Sequence, residues 1–211
     1  MGDQPTLLIA GLGRCGTTML MTMLDAGGFP VTGPRPNYED ARRFGPLRAD
    51  MEWLAEQSGR AVKLIDPLRY KITSASFPVP PVILLMERRN SEQARSQVKL
   101  LTALGEYRNP QRQVVKAMQR SIARDTPLLR AQMGKLTDNV FRVRFEDVLS
   151  VPATVAKALA AISRRKFGLD FDIRAARDAV IKRDAACASD LRIENIVLPE
   201  IARELAARDA A

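Results

Sequence analysis

Four short apolar runs stand out along the chain: Leu7 to Leu12, Ala61 to Ile65, Val82 to Met86 and Val140 to Phe145. Runs of this length that stay apolar at successive positions predict strands buried on both faces. Between them the apolar positions fall three and four apart: Thr17 to Leu24, then Leu47, Met51 and Leu54, then Ala94, Val98 and Leu101, then Val114, Met118 and Ile122. That spacing predicts helices with one face on a core. Val155, Leu159 and Ile162, then Ile201 and Leu205, repeat it, so the C-terminal third is expected to be helical. Strands alternating with helices imply an α/β fold with a mostly parallel sheet of four to five strands, flanked by helices. Asn90 three residues before Gln93 has the form of a capping box, and Pro127, Pro152 and Pro199 suit first helical turns. Met19, Met21 and Met23 read as the buried face of the first helix. No linker interrupts the pattern, and residues 1–211 are expected to form a single domain.

The junction between the first strand and the first helix carries the chemistry. Gly11, Gly13 and Gly16 allow a tight turn with unblocked backbone N–H groups, and the first turn of the following helix adds further N–H donors and a positive dipole end. Such a junction is a phosphate site and makes this a P-loop-type sheet. Against the Walker A pattern GxxxxGK[ST], the spacing from Gly11 to Gly16 and the hydroxyl of Thr18 fit, but Thr17 stands where the Lys belongs. The cation is Arg14, inside the loop. That exchange argues against an ordinary ATPase or GTPase.

Composition narrows the choice. A net charge of +9 suits polyanionic ligands. The basic residues are scattered along helices and aromatics are only 5% of the chain, so nucleic acid is not the expected partner. The chain has no histidine, which removes His-based triads and His–metal sites, and its two cysteines are far apart, which argues against structural zinc. No metal is expected. Cys15 beside Arg14 at a helix start could be a reactive thiolate, but the favoured reading is a Ser-sized residue in a tight loop. No apolar run reaches the ~20 residues of a membrane span, and no signal sequence is evident, so a cytoplasmic protein is expected.

The run Gly13-Arg14-Cys15-Gly16-Thr17-Thr18 resembles the 5′-phosphosulfate-binding loop of sulfotransferases, usually written Lys or Arg followed by Ser-Gly-Thr-Thr, with Cys15 in place of Ser. Arg88 ends the third apolar run and precedes Ser96 by eight residues, the spacing of the family's 3′-phosphate motif. On physical grounds a bidentate guanidinium with a hydroxyl suits a second phosphate. The longer stretch VILLMERRNSEQARSQVKLL looks like bacterial members of the family, with Glu87 before the Arg and Gln97 after the Ser. Lys63-Leu64-Ile65-Asp66-Pro67 resembles the segment before the 3′-phosphate strand, and Val143-Arg144-Phe145-Glu146-Asp147-Val148-Leu149 resembles the family's strand-to-helix junction, whose acids cap and brace the backbone. Three departures are visible: Val151-Pro152 stands where Asp-Pro is common, two residues are inserted between Lys63 and Asp66 relative to the tightest form of that segment, and the glycine-rich C-terminal clamp of cytosolic animal enzymes is not evident.

The resemblance implies transfer of a sulfuryl group from 3′-phosphoadenosine 5′-phosphosulfate to a hydroxyl or amine of a small-molecule or carbohydrate acceptor, without a metal. It implies that Gly13, Arg14, Cys15, Gly16, Thr17 and Thr18 hold the 5′-phosphate, that Arg88 and Ser96 hold the 3′-phosphate, and that Lys63 contacts the sulfuryl group or bridging oxygen. Without histidine, a carboxylate must act as the base. Glu39, in the loop after the first helix, is the first candidate and Asp66 the second; Asn37-Tyr38-Glu39-Asp40 otherwise reads as a helix start rich in acids. A nucleotide-dependent kinase or hydrolase with Asp66 as a Walker B-like acid, or a scaffold that binds nucleotide without turnover, are the alternatives. Acceptor specificity is expected in residues 27–60 and in the C-terminal helices.

Overall fold

The computed structural model describes residues 4–39, 52–108, 110–181 and 185–187. Its centre is a four-stranded parallel sheet in the order β2-β1-β3-β4. The strands are β1 Leu7–Gly11, β2 Ala61–Ile65, β3 Val82–Glu87 and β4 Val140–Arg144. Each expected strand is present to within a residue or so at its ends, Leu12 begins the loop instead of closing β1, and β4, expected to be buried, is an edge strand with Phe141, Arg142 and Arg144 exposed. Leu7 of β1 pairs with Ala61 on one side and Val82 on the other, so β1 is central.

Successive side chains of a strand point to opposite faces, and β1 divides accordingly. Leu7 and Ile9 pack with Leu20, Met21, Met23 and Leu24 of α1 (Thr17–Ala26). Leu8 and Ala10 pack with Ala94 of α2 (Asn90–Ala103) and with Ile122, Leu129 and Met133 of α3 (Arg112–Gly134). All four β1 side chains are fully buried, and burial of each Leu or Ile contributes about 1.5–3 kcal/mol. The first face is completed by Phe145 and Val148 of α4 (Phe145–Ser150), Ala156 and Leu159 of α5 (Pro152–Ile162) and Ala176 of α6 (Ile173–Asp178). The C-terminal third is thus helical as far as it is described, while Pro199, Ile201 and Leu205 lie outside the described residues. Among the described residues no helix is long and apolar enough to cross a membrane.

Three local expectations are corrected. Pro127 lies inside α3, not in a first turn. Pro127 and Ala123, whose carbonyl loses its partner to the proline, are both exposed, so the lost bond falls on the solvent side. Asn90 is the first residue of α2 and not its cap, the cap residue Arg89 makes no side-chain capping bond, and Gln93 turns inward to the loop after β1. Leu54 falls in a short 3₁₀ turn, Glu52–Gln57, while Leu47 and Met51 lie outside the described residues. Pro152 does open α5. The end of β3 is braced by charge: Glu87 accepts paired hydrogen bonds from Arg130 of α3 at 2.7 and 2.8 Å and from Arg142 of β4 at 3.1 and 2.7 Å. Burial alone would raise the carboxyl pKa of Glu87, but those bonds outweigh it and hold the pKa below its usual value.

Candidate functional site

The loop from Gly11 to Thr17 sits at the C-terminal end of the central strand, where ligands of open α/β sheets bind. Two of its residues take left-handed backbone angles, Arg14 at φ 65 and Gly16 at φ 107. A side chain at Gly16 would run into the ring of Phe145, so the loop packs against α4 there. Gly13 is held from both sides. Its N–H donates to Asp66 Oδ1 at 2.8 Å, and its carbonyl accepts from Gln93 Nε2 at 2.9 Å and Gln97 Nε2 at 2.7 Å. Gln93 and Gln97 lie one turn apart on α2, so both amides reach the same carbonyl.

Cys15 points into the core, away from the cleft. Its side chain is buried in the core with Leu7 and Met21, and burial pushes its thiol up to about 12. A reactive thiolate at ordinary pH is thereby set aside, and only the backbone of Cys15 remains for an anion. Thr17 and Thr18 open α1 and face the cleft.

The second motif joins the first. Arg14 Nε donates to Ser96 Oγ at 3.1 Å, and Arg88 Nη1 donates to the Arg14 carbonyl at 3.4 Å. The loop cation and the Arg88–Ser96 pair therefore form one continuous strip, not two separated anion sites. Arg88 is only 8% exposed, its guanidinium lies 4.5 Å from the centroid of the Phe145 ring, and Nη2 donates to the Ala185 carbonyl at 3.0 Å. Its buried Nε has no acceptor among the described residues. Burial lowers the pKa of Arg88, which stays charged because an arginine starts so high.

Lys63, inward-facing on β2 and 2% exposed, makes the third constellation. Its Nζ donates to Thr18 Oγ1 at 2.8 Å, to the Asn37 carbonyl at 2.7 Å and to Glu39 Oε1 at 2.5 Å. Burial lowers its pKa and the Glu39 carboxylate pulls the other way. Glu39 does not begin a helix within the described residues. It follows a turn in which Tyr38, at φ 60, donates its N–H to the Pro34 carbonyl, and Asp40 lies outside the described residues. That turn is tied to α1 by Asp25, which accepts from the Tyr38 hydroxyl at 2.8 Å and from Arg35 Nε at 2.5 Å. Asp66 does not meet Lys63 in this network. At φ 49 it turns its carboxylate to Gly13 and, at 3.9 Å, toward Arg69.

One cleft of about 1230 Å³ collects these groups: Gly13, Arg14, Gly16, Thr17, Thr18, Glu39, Lys63, Asp66, Arg88 and Ser96 all line it. Cys15 is the expected site residue that does not. Of the two acids of the β4–α4 junction, Glu146 braces backbone as the resemblance implies, its Oε1 accepting from the Arg89 N–H at 2.9 Å. The sequence reading missed the loop clamp of Gln93 and the anchoring of Asp66 to Gly13. Only the position of a polar residue on the buried side of α2 could have hinted at the first.

No protein-family model and no curated protein matches the chain. Among solved structures, a sulfotransferase from Alicyclobacillus acidocaldarius superposes with a TM-score of 0.57 over 99% of this chain and 95% of that one, at 15% identity. The fold is sulfotransferase-like. At that identity the likeness concerns the arrangement of strands and helices. The chemistry of a site on a sulfotransferase-like fold has to be argued from its own side chains.

Proposed function

We propose that this chain is a sulfotransferase that moves a sulfuryl group from 3′-phosphoadenosine 5′-phosphosulfate to a hydroxyl or amine. The observation that carries the reading is the strip from Lys63 and Thr18 through Arg14 to Ser96 and Arg88 along one cleft. Its two ends match a donor with phosphate at both the 5′ and 3′ positions. The buried Arg88 Nε, without an acceptor among the described residues, is the kind of group such a phosphate would satisfy. The donor supplies a sulfuryl group already activated by a phosphate leaving group.

Arg14, the loop amides, Thr17 and Thr18 would hold the 5′-phosphate and stabilise the charge that grows on it as the bond breaks. Lys63 donates to the Thr18 hydroxyl, and its ammonium would lie beside that phosphate. Glu39 is the better placed base, since its carboxylate lies in the Lys63–Thr18 network beside the proposed 5′-phosphate position, whereas Asp66 is turned to the Gly13 N–H. The same arrangement weighs against a kinase or hydrolase: the Thr18 hydroxyl meets an ammonium, and Asp66 braces Gly13.

The test is thermal unfolding with ligands. At a hundredfold excess over Kd, a ligand adds about 2.7 kcal/mol, a rise of roughly 5–10 °C in Tm for a chain of this size. Adenosine 3′,5′-bisphosphate should give that rise and ATP with Mg²⁺ much less. Stabilisation by ATP with Mg²⁺ alone would favour the kinase instead.

A further inference from the structure

The cleft has a second half that the anion strip does not use. It is walled by Leu100 and Leu101 of α2, Met118 and Leu128 of α3, and Leu68 from the turn after β2. Leu68 is 37% and Leu128 54% exposed, and the others are half-buried. Large apolar side chains left open along one wall of a cleft mark a surface that an apolar ligand would cover. The polar groups that α2 and α3 bring to that wall bond to one another or to the loop after β1. Ser121 Oγ donates to Asp125 Oδ2 at 3.2 Å, Arg124 Nε donates to Asp125 Oδ1 at 2.8 Å, and Gln97 Nε2 is held by Gly13. A sugar placed there would lose hydrogen bonds to water without an equivalent set in return. The volume, about 1230 Å³, exceeds the 300–1,000 Å³ typical of a site for one drug-sized ligand, so a nucleotide and a second molecule fit together.

The geometry points to an apolar alcohol as the acceptor, with its hydrocarbon body on the α2–α3 wall and its hydroxyl toward Glu39 and Lys63. This assignment rests on the sulfuryl-transfer reading and narrows its acceptor to a hydrocarbon hydroxyl compound, against a carbohydrate. In the step it serves, the acceptor oxygen forms a bond to sulfur while the bond from sulfur to the 5′-phosphate oxygen breaks. The hydroxyl proton passes to Glu39, and the products are a sulfate monoester and adenosine 3′,5′-bisphosphate.

Binding of a series of primary alcohols from hexanol to decanol, with glucose as the polar comparator, tests this on the full chain by calorimetry. Full burial of one CH₂ is worth about fourfold in affinity, so a rise of roughly two- to fourfold per carbon is expected, with glucose not bound. Leu128→Gln, at an exposed position, and Met118→Gln, at a half-buried one on the rim of the core, should each weaken decanol at least about fivefold and leave adenosine 3′,5′-bisphosphate binding unchanged. Affinity flat along the series, decanol binding indifferent to both variants, or glucose bound as tightly as decanol would overturn the assignment even if the bisphosphate binds. A rising series without any bisphosphate binding would instead overturn sulfuryl transfer, and with it the role of the alcohol as acceptor.

Discussion

Arg88→Met is the substitution that separates the two ends of the anion strip. Arg88 is 8% exposed, stacked on Phe145, and reaches the Arg14 and Ala185 carbonyls at 3.4 and 3.0 Å. Much of its desolvation has therefore been incurred on folding, and a 3′-phosphate meets a cation that is already positioned. A hydrogen bond to a charged group is worth about 1.5–3 kcal/mol, which converts to roughly a 10- to 150-fold preference for the 3′-phosphorylated nucleotide. Methionine keeps the unbranched stem and a favourable contact with the ring while removing the charge and the guanidinium donors. Loss of the cation–π contact, about 0.5–2 kcal/mol, is offset by relief of the buried charge, so the variant should remain folded. Calorimetry of adenosine 3′,5′-bisphosphate and of AMP on both proteins gives four affinities that form a cycle. The ratio between the two nucleotides should collapse toward one in the variant. An unchanged ratio would refute the placement of the 3′-phosphate on Arg88, whatever the absolute affinities did.

Glu39→Gln should lower turnover about 10²-fold or more with bisphosphate affinity nearly unchanged, whereas Asp66→Ala, which removes the acceptor for the Gly13 N–H, should chiefly disturb the loop and raise the bisphosphate Kd; the reverse pattern in steady-state kinetics and calorimetry would exchange their roles. Gly16→Ala puts a Cβ against Phe145 at a φ of 107 and should cost about 2–5 kcal/mol from the left-handed backbone and the clash together, seen as a fall in Tm of roughly 4–20 °C. Glu87 has a pKa held below its usual value, so it stabilises the fold above about pH 4.5 and that contribution is lost as the pH falls through its lower folded value. The stability gap between wild type and Glu87→Gln, measured by urea unfolding, should therefore shrink below about pH 4.5, and a constant gap down to acid unfolding would show that the double arginine clamp does not act through charge.

The strands were legible because a sheet covered on both faces demands apolar residues at successive positions, and Leu7 to Ala10 meet that demand without a polar interruption. Even the edge strand β4, with Phe141 39% exposed, could be placed from Val140 and Val143. The loop was legible because its glycines and Arg14 sit at fixed spacing between a strand and a helix. What stayed hidden depends on residues far apart in the chain. Nothing local tells Gln93 to turn inward instead of capping α2, since its partners, the Leu12 and Gly13 carbonyls, are supplied by a loop 80 residues away. Likewise Asp66 and Glu39 are both acids near Lys63, and only the left-handed turn at Asp66 sends one carboxylate to Gly13 and leaves the other to the ammonium. Pro127 was misplaced because a proline is a strong stop signal in an isolated segment, whereas a long helix anchored at Ile122, Leu129 and Met133 tolerates one on its exposed side.

The non-glycine residues with positive φ among those described are Arg14, Tyr38 and Asp66, and all three lie in the loops that frame the cleft. For an engineer this makes heat alone a poor guide. A left-handed conformation costs a non-glycine residue about 1–2 kcal/mol, of which glycine recovers part after its own entropy loss of roughly 0.5–1 kcal/mol. A library screened only for survival at high temperature would therefore accumulate glycine at the positions that hold the loop cation and the brace of Gly13, and its hardiest members would be among its least active. Rounds of selection that alternate heat with nucleotide capture would hold those positions while letting the helical exterior improve.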